Sequence, residues 1–361
     1  LHIGSKDDEG VKRTVHTAVI ICLAGGILIT VFGILFSHNI LALMNTKDEL
    51  IDGAVLYLRI YLLGMPALGL YNFGNAVLSA AGDTKRPLYY LAFAGVVNVI
   101  LNLFFVIVCH LGVAGVALAS MISQFISAFL ILRALLTGKE KYCLRLSEIR
   151  FDKRKAAGIL QIGIPSAFQY SLFAFANLFV QSSVNSFDHV LVEGNSAAAN
   201  ADPLVYDMMA AFYTACSSFI AQNFGARKKK RILQTYLICL FYSFITSLVL
   251  GVGIYLARYP FLYLFTSDKA VVEAGITRLS IMALSYSASA FMDASIAASR
   301  GLGKTAIPTF VVVMGSCVLS GYIRYSPISI PFSRSTSYMY SLGESLQLRR
   351  IYISSMFTDI H

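Results

Sequence analysis

Long apolar runs separated by short polar breaks set the pattern of this chain. Nine runs can be marked, at about 15–37, 54–80, 88–109, 112–136, 158–186, 203–222, 232–257, 271–299 and 306–319. Each approaches or exceeds the roughly 20 residues that a helix needs to cross a hydrocarbon layer about 30 Å thick. A backbone crossing lipid must satisfy its own hydrogen bonds, so helices are the element predicted, and the short breaks leave no room for soluble domains. The fold class expected is an all-α polytopic membrane protein.

Composition agrees. Of 361 residues, 57% are hydrophobic and 13% charged, and the mean hydropathy is +0.69; soluble domains carry about a quarter charged residues. A net charge of +10 would point a soluble protein towards nucleic acid, so its placement matters. The basic residues sit in the breaks, without the exposed aromatics of a single-strand-binding surface, and no nucleic-acid partner is expected. Alternate breaks, beginning with 1–14, hold 19 Lys and Arg, whereas the other four hold 3. That asymmetry places the first set on the cytoplasmic side. The cysteines show no paired spacing and read as small hydrophobes, and no metal site is expected.

Two stretches repeat. Ala81-Gly82-Asp83-Thr84-Lys85-Arg86-Pro87 is echoed by Leu302-Gly303-Lys304-Thr305-Ala306-Ile307-Pro308 at an offset of 221, which also relates Gly4 to Gly225 and Leu43-Met44-Asn45-Thr46 to Leu264-Phe265-Thr266-Ser267. Six helices separate the copies, an even number, so the repeat is parallel, with a pseudo-two-fold axis along the membrane normal. By that register two helices are expected before Leu1. After Leu319 the apolar text gives way to ten Ser and four Arg in residues 320–361, so a reading-frame shift near Leu319 is expected and the tail reads as aberrant.

The residues then resemble a family. Tyr57-Leu58-Arg59-Ile60-Tyr61, Gly64-Met65-Pro66, Tyr71-Asn72-Phe73-Gly74-Asn75 and the 81–87 loop are similar to the first lobe of bacterial multidrug and toxic compound extrusion (MATE) transporters. Asn195-Ser196-Ala197-Ala198-Ala199-Asn200, Gln222-Asn223-Phe224-Gly225-Ala226 with its basic run, and Arg300-Gly301-Leu302-Gly303-Lys304 resemble the second. The resemblance implies two six-helix bundles, with about nine of twelve helices present: 1–137 as the first lobe (helices three to six), 138–157 as a basic cytoplasmic linker and 158–319 as the second lobe (helices seven to eleven). It further implies export of organic cations or other amphipathic compounds in exchange for H+ or Na+, from the cytoplasmic membrane of a bacterium.

Candidate site residues follow from the cost of polarity in lipid. Asp293 lies seven residues before Arg300, about 10 Å along a helix. A carboxylate at that depth is costly and usually works in a cavity; the alternative is a pair with Arg300 or Lys304. Asp207, one turn into the helix expected to begin near Pro203, and Asp202 just before it are coupling groups, or do no more than cap that helix and favour its positive N-terminus. Asn72 and Asn75, Asn98 and Asn102, Gln169 and Tyr170, and Asn177 with Gln181 share helix faces that should turn from lipid towards the bundle or a substrate cavity. Tyr286 and Tyr170 add aromatic surface for a cationic substrate. Gly82, Asp83 and Thr84, with Arg300, Gly303 and Lys304, mark the cytoplasmic loops. Gly301-Leu302-Gly303-Lys304-Thr305 imitates a phosphate loop, but Ala298 stands where the motif needs Gly and no strand precedes it.

The expected function is therefore a secondary antiporter rather than an enzyme. No tightly bound cofactor is expected beyond the coupling ion, and the partners expected are lipid and small amphipathic substrates, with the chain monomeric. A lipid-linked sugar flippase of the same superfamily, or an inactive transporter fragment, is the alternative.

Overall fold

The computed structural model describes residues 1–43, 48–138, 140–184 and 188–312; the tail 320–361 and the expected frame change near Leu319 lie outside the described residues. Twelve α-helices follow one another among them: α1 Asp8–Leu43, α2 Asp48–Leu62, α3 Met65–Ala80, α4 Lys85–Leu103, α5 Gly112–Thr137, α6 Lys153–Val184, α7 His189–Ala199, α8 Ala201–Gly225, α9 Lys229–Leu256, α10 Arg258–Tyr263, α11 Lys269–Gly301 and α12 Ala306–Val312. A π-turn, Phe104–Val108, extends α4, and a short 3-10 turn, Leu146–Glu148, precedes α6.

Two compact units result. One holds His2 and Lys6–Ile159; the other holds Leu1, Ile3–Ser5 and the described residues from Leu160 onward, so the division falls inside α6. In the first, α1 packs on α2 and α3, and α5 packs on α2, α3 and α4. In the second, α11 is the central helix, touching α7, α8, α9 and α10.

Side-chain size is distributed as lipid requires. Buried positions are rich in small residues, such as Ala117, Ala119 and Ala128 in the first unit and Ala290, Ala294, Ala297 and Ala298 in the second, while Leu88, Leu91, Phe93, Val96 and Val99 along α4 are exposed. Apolar surface gains little by leaving lipid, so close approach and dispersion hold such helices together. Among the described residues five helices are long and apolar enough to cross a membrane, or seven if each of two bent pairs counts as one span. Of the nine runs read from the sequence, 158–186 is interrupted by Gln161, Ser166, Gln169 and Ser171 within α6, and only the first part of 306–319 is described. The link 187–202 differs from expectation: most of it is α7, which joins α8 in one apolar helical pair, His189–Gly225.

The offset of 221 reappears in three dimensions. Helix starts coincide at Asp8 and Lys229, Asp48 and Lys269, and Lys85 and Ala306. Left-handed backbone recurs at Lys6 (φ 58°) and Arg227 (φ 55°), and at Gly82 (φ 93°) and Gly303 (φ 79°). The bends recur too: α2 meets α3 at 43°, and α11 bends by 43° between Ala283 and Ser285. Pro66 follows the first bend, but the equivalent position in the second is Ser287, so proline alone does not set the angle. Packing is the shared cause. Thr30 Oγ1 donates to the Leu62 carbonyl at 2.7 Å; at the equivalent place Gly251 approaches the Ala283 carbonyl so closely that a Cβ would lie 2.3 Å from its oxygen. Pro165 lies within α6, which runs on past it.

The stretch read as a linker is fastened to α1. The Arg145 amide donates to Nε2 of buried His16 at 3.3 Å, and the Asp152 amide to Oγ1 of Thr17 at 3.1 Å. Lys12 pairs with Glu148, Lys141 with Asp8, and Arg13 approaches Asp152 at 3.7 Å. The Lys12 ammonium beside Glu148 holds that carboxyl below its ordinary range, and the backbone N–H groups of Lys155 and Arg154 do the same for Asp152. Asp7 is lowered by the Gly10 N–H and by His2.

Candidate functional site

Asp293 lies beyond the bend of α11, on a face turned towards α8 and α9. With Met209, Tyr213 and Cys216 of α8 and Cys239 and Ser243 of α9 it lines a crevice too narrow to admit a water molecule. Its carboxylate makes no ion pair among the described residues, and Arg300 lies two helical turns further along α11. The pairing with Arg300 offered by the sequence is not formed. Arg300 turns instead to α6, donating to the Tyr170 hydroxyl and to Gln169 Oε1, both at 3.2 Å, with its guanidinium over the rings of Tyr170 and Tyr213. Tyr213 thus forms part of the crevice wall and also lies beneath the Arg300 guanidinium.

Asp202 is held differently. One oxygen accepts from Tyr286 at 2.5 Å and the other from Arg278 at 2.5 Å. Arg278 also donates to the carbonyl of Asn195 at 3.0 Å and to its side-chain oxygen at 3.3 Å. The guanidinium therefore joins the end of α7 to the start of α8, where the break between them frees backbone carbonyls. Tyr206 packs edge-on to Tyr286, with ring centroids 5.7 Å apart. A cap of α8 by Asp202 is not formed: the helix begins at Ala201 and its first residue is preceded by Asn200.

Other residues singled out by the sequence fall into separate places. Gln169, 3% exposed, accepts from Thr309 Oγ1 at 3.3 Å as well as from Arg300, which ties α6 to α12. Tyr170 has an exposed ring, and Asn177 and Asp207 are also exposed; the Gln181 side chain lies outside the described residues. In the first unit Asn98 donates to Ser123 at 3.3 Å and accepts from Asn102 at 3.1 Å, while Asn102 Oδ1 is buried without a partner. Asn75 accepts from Ser79 at 3.2 Å, and Asn72 is exposed.

The loop motifs build matching helix ends. Gly82 N–H donates to the Ser79 carbonyl at 3.0 Å and Gly303 N–H to that of Arg300 at 2.9 Å; Asp83 and Lys304 close on Leu78 and Ser299, each at 2.9 Å. Glycine is required by the positive φ at both turns. Asp83 accepts from Arg86 at 2.8 Å, and Thr84 precedes α4 without a side-chain cap.

A family model described as MatE matches residues 2–104 and 165–325. The chain belongs to the MatE family. The probable multidrug resistance protein YpnP of Bacillus subtilis (strain 168) is 31% identical over 230 residues, 63% of this chain and 51% of that protein. The chain therefore spans about half the length of that relative. The probable multidrug resistance protein YoeA of the same organism is 27% identical over 319 residues, covering 86% of this chain and 68% of that one. A solved structure, the outward-facing conformation of a multidrug resistance MATE family transporter of the MOP superfamily, superposes with a TM-score of 0.90 at 21% identity, over 99% of this chain and 82% of the other. At that identity the likeness shows the fold. This MatE chain is a multi-pass helical membrane protein of two repeated lobes.

Two residues of its second lobe escape a search for carboxylates and amides alone: Arg278 and Tyr213. Arg278 carried a signal, since a cation in the middle of the apolar run 271–299 is as costly as Asp293 and needs a partner for the same reason. Tyr213 carried none among 20 tyrosines.

Proposed function

We propose that this chain works as a secondary antiporter that exports organic cations or other amphipathic compounds across a bacterial cytoplasmic membrane, in exchange for H+ or Na+. The observation that carries the reading is Asp293, a carboxylate in a membrane helix that faces a crevice and has no fixed counter-ion among the described residues. Such a group is expensive unless it alternates between ionised and neutralised forms, as binding of a proton or cation would make it do. Asp202 does not share that freedom, because Tyr286 and Arg278 occupy both of its oxygens; it serves as the fixed anion that holds the α7–α8 break. The names of the Bacillus relatives, both probable multidrug resistance proteins, support the substrate class.

The reading needs only lipid and a small substrate as partners, no bound cofactor and a monomeric chain. Proteoliposomes holding this chain and loaded with ethidium test it. Efflux driven by an imposed H+ or Na+ gradient, and absent when both gradients are collapsed, is expected; efflux that follows neither gradient, or none at all, would contradict it.

A further inference from the structure

Five consecutive cations, Arg227, Lys228, Lys229, Lys230 and Arg231, stand at the start of α9, and all five are exposed. No Asp or Glu occurs between Asp207 and Asp268, and Arg227, Lys228, Lys230 and Arg231 form no ion pair among the described residues. The placement is the reverse of what a helix favours, because its N-terminus is already positive. The offset of 221 sharpens the contrast: it sets Lys228, Lys229 and Lys230 where the first copy has Asp7, Asp8 and Glu9, after the same left-handed turn. There the acids are matched. Asp7 accepts from the Gly10 N–H at 2.9 Å, Asp8 pairs with Lys141, and Glu9 accepts from Arg13 at 2.9 Å. The second copy keeps the turn and reverses the charge, so the cluster calls for an anion.

We propose that this end of α9 binds an anionic phospholipid of the cytoplasmic leaflet. Lys228, Lys229, Lys230, Arg231 and Gln234 line an open cleft of about 460 Å³, room for a phosphate-bearing headgroup. Lys230, Gln234, Leu237 and Phe241 are spaced i, i+4, i+7 and i+11 and so share one face of α9; Leu237 is 52% exposed and Phe241 60%. Cleft and apolar stripe therefore join. The headgroup phosphate meets the cations, and the acyl chains run along Leu237 and Phe241, roughly 10 and 17 Å beyond Lys230 along the helix. That continuity selects a lipid over free phosphate, which the cleft alone would also attract. The cluster lies in one of the breaks assigned to the cytoplasmic side, where anionic headgroups draw Lys and Arg next to a span.

Topology alone does not account for the arrangement. Retention of a break on the cytoplasmic side depends on how many cations lie near the spans, not on their order. Another basic break shows the difference. Lys153 and Arg154 also open a helix, α6, but Asp152 stands before them and accepts from the Arg154 and Lys155 N–H groups at 2.9 and 3.2 Å. The first turn of α9 holds no acidic residue; the lipid phosphate supplies the charge that Asp152 supplies to α6. The site rests on the cations and the exposed stripe beside them, and not on the transport reading.

Lipid retention by the purified full chain in detergent tests the site, read by native mass spectrometry with phosphatidylglycerol or phosphatidylcholine added. Phosphatidylglycerol should be retained in preference, and millimolar inorganic phosphate should not displace it. Lys230→Gln with Arg231→Gln should bind it roughly tenfold more weakly or worse, since each cation removed weakens the attraction to an anionic headgroup. Lys153→Gln with Arg154→Gln, which removes the same charge, should match the parent. A second measurement uses the unaltered chain: phosphatidylglycerol carrying a photoreactive acyl chain should label the peptide that holds Leu237 and Phe241, and excess unlabelled phosphatidylglycerol, but not phosphatidylcholine, should abolish the labelling. No preference for the anionic lipid, equal loss in the two double variants, displacement by inorganic phosphate, or labelling only elsewhere would overturn the proposal.

Discussion

Asn72 and Asp293 occupy the same position in the two repeats, 221 residues apart, with Asn72 in α3 and Asp293 in the matching half of α11. The two side chains are nearly the same size, and only the second can ionise. Neighbouring residues show the same divergence: Tyr57 of the first copy is matched by Arg278 of the second. The duplicated backbone is thus shared, whereas at these two positions only the second lobe carries a charged side chain. The second lobe carries an ion pair, Arg278 with Asp202, and a carboxylate without an ion pair among the described residues, Asp293.

The fixed pair makes the first prediction. Arg278→Leu leaves the Asp202 carboxylate with Tyr286 as its remaining side-chain donor among the described residues, and stranding one partner of a part-buried pair costs up to roughly 3–5 kcal/mol. The melting temperature in detergent should drop steeply. Replacing both members, with Arg278→Met and Asp202→Leu, should recover much of the loss, since apolar packing avoids the stranded charge. A single variant as stable as the parent would show that the pair holds nothing.

Much of this was legible in the sequence, for identifiable reasons. Helices in lipid must be long and apolar, so eight of the nine apolar runs emerge as helices or bent helix pairs, and only the start of the ninth is described. A gapless repeat preserves loop geometry, which is why Gly82 and Gly303 identify matching turns with φ of 93° and 79°. The α7 helix was hidden because Glu193, Gly194, Asn195 and Ser196 dilute its hydropathy within the polar link 187–202. Asp293 stood out as a charge in an apolar run. Its separation from Arg300 did not, because that depends on Gln169 and Tyr170, about 130 residues away.

Adjacent glycines in α1 give a second prediction. A Cβ at Gly25 would meet nothing within 4 Å, whereas one at Gly26 would lie 2.6 Å from the Pro66 Cα at the α1–α3 crossing. Gly25→Ala should be neutral or slightly stabilising. Gly26→Ala forces a backbone shift and should cost roughly 1–3 kcal/mol. Thermal unfolding of the two variants, measured side by side, checks this; equal effects would mean that the crossing is looser than described.

The fastening of residues 138–155 to α1 is sensitive to acid. Asp7, Glu148 and Asp152 all ionise below their ordinary range in the folded chain, held there by the Gly10 N–H, by Lys12 and by the Lys155 N–H respectively. A lowered folded value means that the unfolded segment binds protons more readily, so the stabilisation is complete above the unfolded values near pH 4 and is lost as pH falls through the folded ones. Hydrogen exchange at the Asp152 amide, corrected for the intrinsic rate, should stay protected from pH 7 to about pH 5 and lose protection below pH 4. Protection that persists to the lowest pH would assign the fastening to packing instead.

Asp293→Asn tests coupling most directly, because it gives the second lobe the side chain that the first already carries at this position. The variant keeps the volume of the side chain and removes its titration. Gradient-driven ethidium efflux and membrane abundance should be measured on the same vesicles. If Asp293 couples the ion to the substrate, efflux falls at least tenfold, about 1.4 kcal/mol or more, while abundance and melting temperature hold. Efflux that still follows the H+ or Na+ gradient at the parent's rate would contradict it.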